Sequence, residues 1–168
     1  MRRRTLSTLA AGGSAALLAG ALAFQHLGGY APCELCILQR WPHLAAAAMG
    51  ILALLLPPRM LWRFLGLVSA LTAAALGLYH TGVERTWWQG PTTCSGGSDI
   101  GSLSPDALLN QILAAPVVRC TDVAWQFMGL SMASWNAILS LVLAALWGLS
   151  LTAPRQKATG LRFDRPAR

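Results

Sequence analysis

Charged side chains are scarce in this sequence, because Asp, Glu, Lys and Arg together make up only 11% of its 168 residues. A soluble domain of similar length carries about 25% charged residues. Apolar residues account for 55% of the chain, and the mean hydropathy is +0.50. This composition excludes an ordinary soluble domain and indicates a membrane protein.

Acidic residues are the scarcer kind of charge, with six against thirteen basic residues and a net charge of +7. Most of the basic residues flank long apolar segments, as the positive-inside rule expects at cytoplasmic ends. These flanking residues are Arg2, Arg3, Arg4, Arg59, Arg63, Arg155, Lys157, Arg162, Arg165 and Arg168. They form no compact basic surface interleaved with aromatic residues, so we expect no nucleic-acid partner.

Four long apolar runs predict four transmembrane helices in an all-α bundle, a single integral membrane domain over residues 1–168. Each run has about 20 residues or more, enough to cross a hydrocarbon layer of about 30 Å. The runs cover residues 5–27, 35–56, 61–82 and 127–151. An even number of spans places both termini on one side of the membrane, and the basic residues favour the cytoplasmic side.

The first run has a competing interpretation as a cleavable signal peptide. Arg2 to Arg4 would form its basic region, and Ala21-Leu22-Ala23 resembles a cleavage site. We expect the run to be retained as a helix, because the apolar sequence continues towards the first cysteine motif.

A polar segment over residues 83–126 predicts a long loop on the non-cytoplasmic side, and a basic tail over 152–168 is expected in the cytoplasm. The loop is rich in glycine and turn-forming residues. Within it, Ser104 can cap a short amphipathic helix that Pro105 begins and Pro116 ends. This helix either lies in the membrane surface or packs on the protein as a solvated helix.

Only four cysteines are present, and all fall in segments that the charge pattern places outside the cytoplasm, which suggests an oxidising compartment. Cys33 and Cys36 form a CxxC pair where the second run begins, and Arg40 follows one helical turn later. In a helix these three residues share one face within about 10 Å along the axis. The helix N-terminus and the arginine both favour a thiolate, which is the species that attacks disulfides.

A CxxC pair also fits a metal half-site or a structural disulfide. Covalent haem attachment is excluded because Ile37, and not histidine, follows the pair. A zinc site is disfavoured because Cys94 and Cys120 do not form a second CxxC pair. A b-type haem carrier stays open as an alternative, since two histidines can hold a haem across a bundle. The histidines are His26, His43 and His80.

Cys94 and Cys120 are separated by 25 residues of the loop and have two interpretations. A structural disulfide across this span would stabilise the fold by about 3 to 4 kcal/mol. Alternatively, Cys94 lies in a glycine-flanked segment where it can exchange with the thiol of a partner. Arg40 is costly just inside a span unless it meets a polar partner, and a quinone carbonyl is one such partner.

Four motifs follow one another along the chain with characteristic spacing. They are Cys33-x-x-Cys36-x-x-x-Arg40, Tyr79-His80-Thr81, Trp88-x-Gly-Pro-x-x-Cys94, and Cys120 followed by Trp125-x-Phe-x-Gly-Leu-x-Met132. Together they resemble the bacterial disulfide bond formation protein B (DsbB) family. The resemblance extends from about His26 to Trp135 and includes the related DsbI branch, which serves a dedicated partner.

This resemblance implies a protein-dithiol:quinone oxidoreductase of the bacterial inner membrane, with its cysteines on the periplasmic side. Such an enzyme reoxidises a periplasmic thioredoxin-fold oxidase of the DsbA type and passes the electrons to the membrane quinone pool. The expected cofactor is ubiquinone or menaquinone, and no metal is expected. The alternatives from other classes are a redox-inert membrane protein with two structural disulfides and the haem carrier.

The resemblance also assigns roles to six residues. Cys94 would form the mixed disulfide with the partner, and the Cys94 and Cys120 pair would pass electrons to the CxxC pair. Cys36 would be the thiolate that faces the quinone. Arg40 would stabilise this thiolate and the reduced ring, and His80 would lie beside the quinone.

Overall fold

The computed structural model describes residues 3–91, 104 and 118–154. Within these ranges the chain forms four long helices: α1 (Arg3–His26), α2 (Glu34–Leu55), α3 (Arg59–Glu84) and α4 (Met132–Thr152). All four are long and apolar enough to cross a membrane. The predicted four-helix membrane fold is therefore confirmed.

Helix α2 contains Pro42, and a proline in an apolar run can either begin a helix or interrupt it. The helix begins at Glu34, so Pro42 lies inside it. Because proline has no N–H group, the carbonyl of Leu38 lacks its usual helical donor at this point. The helix nevertheless continues to Leu55 and carries Cys36 and Arg40 on the same element.

The four helices form a closed ring in which each helix packs against two neighbours. Helix α1 contacts α2 and α4, α2 contacts α3, and α3 contacts α4, while α1 and α3 lie across the diagonal. One part of the core consists of small side chains around Trp147, which is fully buried. The core therefore relies on close helix approach as well as on large apolar residues.

Two glycines of α3 show how close this approach is. A Cβ atom added at Gly66 would lie 2.6 Å from the indole ring of Trp147 on α4. A Cβ atom at Gly77 would lie 2.9 Å from the backbone nitrogen of Ala137, also on α4. Small residues at a helix interface permit this spacing, so α3 and α4 are held at a distance that a larger side chain would not allow.

A short hairpin precedes α4 and consists of β1 (Gln126–Phe127) and β2 (Leu130–Ser131). Met128 and Gly129, with φ of 52° and 76°, form the tight turn, and two positive φ angles are typical of a type I′ hairpin. The fourth helix therefore begins at Met132 and not at about Phe127 as expected. An apolar run does not distinguish an apolar hairpin from the helix that follows it.

Ser131 ends the hairpin and begins the helix. Its hydroxyl oxygen accepts a hydrogen bond from the backbone N–H of Ser134, as an N-cap residue does. The same hydroxyl donates to the carboxylate of Glu84 at the end of α3. The hairpin thus ties the start of α4 to the end of α3, close to the cysteine pair of α2.

Three expectations fall on parts of the chain outside the described residues. They are the short amphipathic helix after Ser104, the loop cysteine Cys94 and the basic tail beyond Pro154.

Candidate redox site

The first turn of α2 positions the CxxC pair. Cys33 is the N-cap residue, with extended backbone angles, and its sulfur accepts a hydrogen bond of 3.2 Å from the backbone N–H of Cys36. The first N–H groups of a helix have no helical partners, so the sulfur satisfies one of them. Cys33 is buried and Cys36 is half-buried, which leaves Cys36 as the more accessible thiol.

Cys33 and Cys36 are free thiols whose sulfur atoms lie 2.8 Å apart, with Cys33 donating to Cys36. This hydrogen bond and burial raise the pKa of Cys33 far above its ordinary value, since the negative charge of Cys36 opposes a second charge. The proton therefore stays on Cys33, and the charge of a singly ionised pair lies on Cys36.

His80 approaches the pair from α3. Its Nε2 atom lies 3.6 Å from the sulfur of Cys33, and its Nδ1 atom lies 2.8 Å from the side-chain nitrogen of Gln39. The backbone of Cys120 is a further hydrogen-bond partner of the ring. His80 is thus placed where the CxxC pair and the loop cysteine meet.

Arg40 lies one helical turn beyond Cys36 and is half-buried. Its Nη1 atom donates a hydrogen bond of 2.6 Å to the side-chain oxygen of Gln25 on α1. The interaction joins α1 to α2 and fixes one arm of the guanidinium group. The polar partner expected for an arginine at this depth is therefore, in part, a side chain of the protein itself.

A cleft of about 460 Å³ opens between α1, the start of α2 and the start of α4. Most of its wall is apolar, with contributions from alanine, leucine and aromatic side chains. The polar residues that matter for chemistry in its wall are Cys33, Cys36, Gln39, Arg40, His80 and Glu84. Its size lies within the range of about 300–1,000 Å³ typical of small-molecule sites.

Cys120 is the described member of the loop pair. It is almost fully buried and belongs to the same apolar cluster as Cys33, Leu35 and Val83. Cys120 is in a disulfide bond, whereas Cys94 lies outside the described residues. The structure thus brings five of the six predicted site residues into one region at the end of the bundle.

Sequence reasoning missed Asn136, gave no role to Gln39 and considered His43 only as a possible haem ligand. Asn136 donates to the Gln39 side chain at 2.6 Å and lies 2.8 Å from Nε2 of His43. A signal was present, because an amide within an apolar span needs a polar partner inside the bundle. The sequence does not say which partner it finds.

A membrane bundle with a free dithiol at one end, beside the disulfide-bonded Cys120 and an apolar cleft, is typical of a membrane thiol–disulfide oxidoreductase. The family profile described as Disulfide bond formation protein DsbB matches residues 3–150. The chain therefore belongs to the disulfide bond formation protein B (DsbB) family.

Individual relatives show the same similarity. Disulfide bond formation protein B of Pasteurella multocida is 36% identical over 131 residues, covering 75% of this chain and 74% of the relative. The protein of the same name from Verminephrobacter eiseniae is 33% identical over 155 residues and covers 85% of each chain. Disulfide bond formation protein B 2 of Pseudomonas aeruginosa is 33% identical over 142 residues, covering 79% of this chain and 83% of the relative.

Proposed function

We propose that this protein is a protein-dithiol:quinone oxidoreductase of the bacterial inner membrane. It takes electrons from a reduced periplasmic oxidase of the thioredoxin fold, resembling DsbA, and delivers them to quinone. The observation that carries this proposal is the cleft of about 460 Å³, in whose wall the free thiols of Cys33 and Cys36 lie beside Arg40.

The wall of the cleft fits a quinone. A quinone ring has two carbonyl oxygens that accept hydrogen bonds, and its isoprenoid chain is apolar. Arg40 supplies N–H donors, and the remaining wall from α1 and α4 is largely apolar. Ubiquinone is the expected cofactor, with menaquinone as the alternative, and when bound it supplies the acceptor for two electrons and two protons.

The electrons enter through the loop pair. Cys94 forms the mixed disulfide with the partner, and Cys120 completes the loop disulfide in the resting protein. Support for this pairing is that Cys120 is disulfide-bonded while Cys33 and Cys36 are free, which leaves Cys94 among the four cysteines. The partner's dithiol becomes a disulfide, and two electrons remain on the loop pair.

Exchange between the two pairs then moves the electrons into the bundle. A thiolate of the loop pair attacks the disulfide of Cys33 and Cys36, forming a mixed disulfide with Cys33 and releasing Cys36 as the thiolate. The second loop thiol closes the loop disulfide and leaves both CxxC residues reduced. The packing of Cys120 in the same buried cluster as Cys33 supports this order.

Arg40 and His80 stabilise the charge on the cysteine pair and fix its geometry. Arg40 lies on the same helix, and its positive charge stabilises the thiolate and the negative charge that develops on the electron acceptor. His80 holds the buried side of the pair through its contact with Cys33. Oxidation of the reduced pair removes two electrons and two protons and restores the Cys33–Cys36 disulfide.

The membrane orientation is part of the proposal. Helices α1 and α3 both begin with basic residues. These are Arg3 and Arg4 in α1, and Arg59 and Arg63 in α3. By the positive-inside rule these ends are cytoplasmic, so both termini are cytoplasmic and the cysteines are periplasmic. A disulfide exchange site on that side meets the partner in an oxidising compartment.

Metal binding is the second candidate, because ligand atoms of Cys33, Cys36 and His80 lie within 4.8 Å of one another. A histidine that binds a metal normally donates its other ring N–H to an acceptor. Here Nδ1 of His80 instead faces the amide nitrogen of Gln39, which also bonds to the carbonyl of Leu35. The protonated nitrogen is then Nε2, which has no lone pair for a metal, so thiol chemistry fits the geometry better.

The test of the proposed function is an anaerobic turnover assay in detergent. The full chain is mixed with a reduced DsbA-type oxidase and a soluble ubiquinone analogue, and quinone absorbance is followed for wild type and Cys36→Ser. Loss of the oxidised quinone band in wild type alone is the expected result. No loss in wild type with either ubiquinone or menaquinone analogues would contradict the proposal, and zinc bound in equal amount to the reduced protein would favour the metal candidate.

A further inference from the structure

A chain of buried hydrogen bonds joins three helices behind the cysteine pair. Nε2 of His43 lies 2.8 Å from the side-chain oxygen of Asn136, and the nitrogen of Asn136 donates to the oxygen of Gln39 at 2.6 Å. The nitrogen of Gln39 then lies 2.8 Å from Nδ1 of His80. His43, Gln39 and His80 are only 4%, 6% and 3% exposed, and the electron path proposed above uses neither His43, Gln39 nor Asn136.

One backbone carbonyl fixes which groups donate and which accept in this series of hydrogen bonds. The side-chain nitrogen of Gln39 lies 3.1 Å from the carbonyl oxygen of Leu35, which can only accept a hydrogen bond. The amide must therefore present its nitrogen at this position, and the second N–H of that nitrogen points at Nδ1 of His80. Nδ1 has to accept, so the proton of the neutral His80 ring is on Nε2.

The same carbonyl also fixes the donors and acceptors in the two hydrogen bonds of Asn136. Because the nitrogen of Gln39 is directed at Leu35 and His80, its oxygen faces Asn136 and must receive an N–H from it. The oxygen of Asn136 then faces His43, whose Nε2 has to carry a proton. Every donor therefore points towards His80, and bonds aligned in this way strengthen one another.

The series of hydrogen bonds continues from His80 into the cysteine pair. Nε2 of His80 faces the sulfur of Cys33 at 3.6 Å, and Cys33 donates to the sulfur of Cys36 at 2.8 Å. The backbone of Cys120 is a second hydrogen-bond partner of the ring. A nitrogen that carries a proton cannot take the thiol proton of Cys33, so His80 acts towards this sulfur as a donor and not as a base.

We propose that Gln39 is a positioning residue which, braced by Asn136, holds His80 as the Nε2–H tautomer. His80 then cannot remove the thiol proton of Cys33, so this proton stays in the hydrogen bond to Cys36, and Cys36 carries the charge of the reduced pair. The importance of this arrangement for turnover rests on the proposed function, in which Cys36 faces the quinone. The tautomer and the location of the thiolate are properties of the reduced protein alone and are measured without quinone or partner.

The first test is nitrogen-15 NMR of the full chain, labelled on histidine, reduced and kept anaerobic in detergent. The chain has three histidines, and His80→Gln identifies the His80 resonances by their loss. If that variant does not accumulate, His26→Asn and His43→Phe identify them by elimination. The expected ring has a protonated, pyrrole-type Nε2 and an unprotonated, pyridine-type Nδ1. The opposite tautomer in the wild-type protein would overturn the proposal.

The second test uses Gln39→Glu to reverse the hydrogen bond between residue 39 and Nδ1 of His80. A carboxylate accepts a hydrogen bond from Nδ1–H, which moves the free lone pair of the ring to Nε2 and lets His80 take the proton of Cys33. The matched control is Gln126→Glu, which makes the same change at an exposed strand position. The reduced proteins receive a short pulse of iodoacetamide, and the labelled cysteines are mapped by mass spectrometry.

Wild type and Gln126→Glu are expected to label chiefly at Cys36. In Gln39→Glu the ratio of Cys33 to Cys36 labelling should rise by about tenfold, the effect expected of one charge-assisted hydrogen bond. Preferential labelling of Cys33 in wild type, or an unchanged ratio in folded Gln39→Glu, would overturn the proposal.

The two proposals fail separately. A protein with the expected tautomer and labelling that reduces no quinone would keep this inference and lose the proposed function. A protein that reduces quinone while His80 shows the opposite tautomer would keep the function and lose the role of Gln39.

Discussion

Replacing Arg40 by alanine should weaken the use of quinone more than the use of the partner. One nitrogen of the guanidinium group, Nη1, is held by Gln25 at 2.6 Å. Its other N–H groups have no protein partner among the described residues, and the side chain lines the cleft. Arg40 is therefore a preorganised donor for an acceptor oxygen that enters the cleft, whereas the loop pair that meets the partner does not depend on it.

The magnitude follows from one hydrogen bond to a charged donor. Such a bond contributes about 1.5 to 3 kcal/mol. At about 1.4 kcal/mol for each factor of ten, its loss lowers kcat/KM for quinone by roughly 10- to 150-fold. The assay is steady-state quinone reduction with reduced partner in excess, followed by a second series in which the partner is varied and quinone is saturating.

Two further variants separate the effect of the positive charge of Arg40 from the effect of the orientation of its guanidinium group. Arg40→Lys keeps the positive charge but loses the planar fork, so its loss should be intermediate. Gln25→Leu keeps Arg40 but removes its anchor, and its loss should be smaller than that of Arg40→Ala. A folded Arg40→Ala protein with unchanged kcat/KM for quinone would refute the assigned role, as would an equal loss for quinone and partner.

Three further variants test the packing of α3 against α4, the thiol exchange with the partner and the buried polar network. Gly66→Ala should lower the free energy of unfolding in detergent by about 1 to 3 kcal/mol, because the added methyl group meets the Trp147 ring at 2.6 Å. Gly12→Ala, with nothing within 4 Å, is its control, and an equal change in both would contradict the packing argument. Cys94→Ser should abolish turnover with the protein partner but leave reduction of the CxxC pair by a small dithiol; retained turnover with the partner would contradict the entry role. Asn136→Leu leaves two buried polar groups unpaired and should destabilise the fold by about 1 to 3 kcal/mol, with no change in unfolding as the contrary result.

Helix number and the placement of the cysteine pair were predictable from the sequence because each depends on local pattern. Long uncharged runs define spans, and the position of Cys33 and Cys36 at the start of one run places them in a first helical turn. The beginning of α4 was not predictable in the same way. Phe127 continues the apolar character of the helix, and only the turn at Met128 and Gly129 shows that a hairpin comes first.

The polar network was not predictable, because it depends on contacts between residues that are far apart in the chain. Gln39 and His80 are separated by 41 positions, and Gln39 and Asn136 by 97. A sequence shows that each polar residue lies in an apolar span and needs a partner. It does not show how the helices are rotated, and that rotation decides whether His80 meets Cys33, a ligand or another helix.

The central claim is that two electrons pass from the thiols of Cys33 and Cys36 to quinone. The most direct measurement is a single-turnover titration of the fully reduced protein with a ubiquinone analogue, without partner and without oxygen. Quinol is measured by absorbance, and the Cys33–Cys36 disulfide is measured by mass spectrometry in wild type and Cys36→Ser. The account predicts one quinol for each disulfide formed in wild type and none in the variant. Quinol formed without this disulfide, or formed equally by Cys36→Ser, would contradict it.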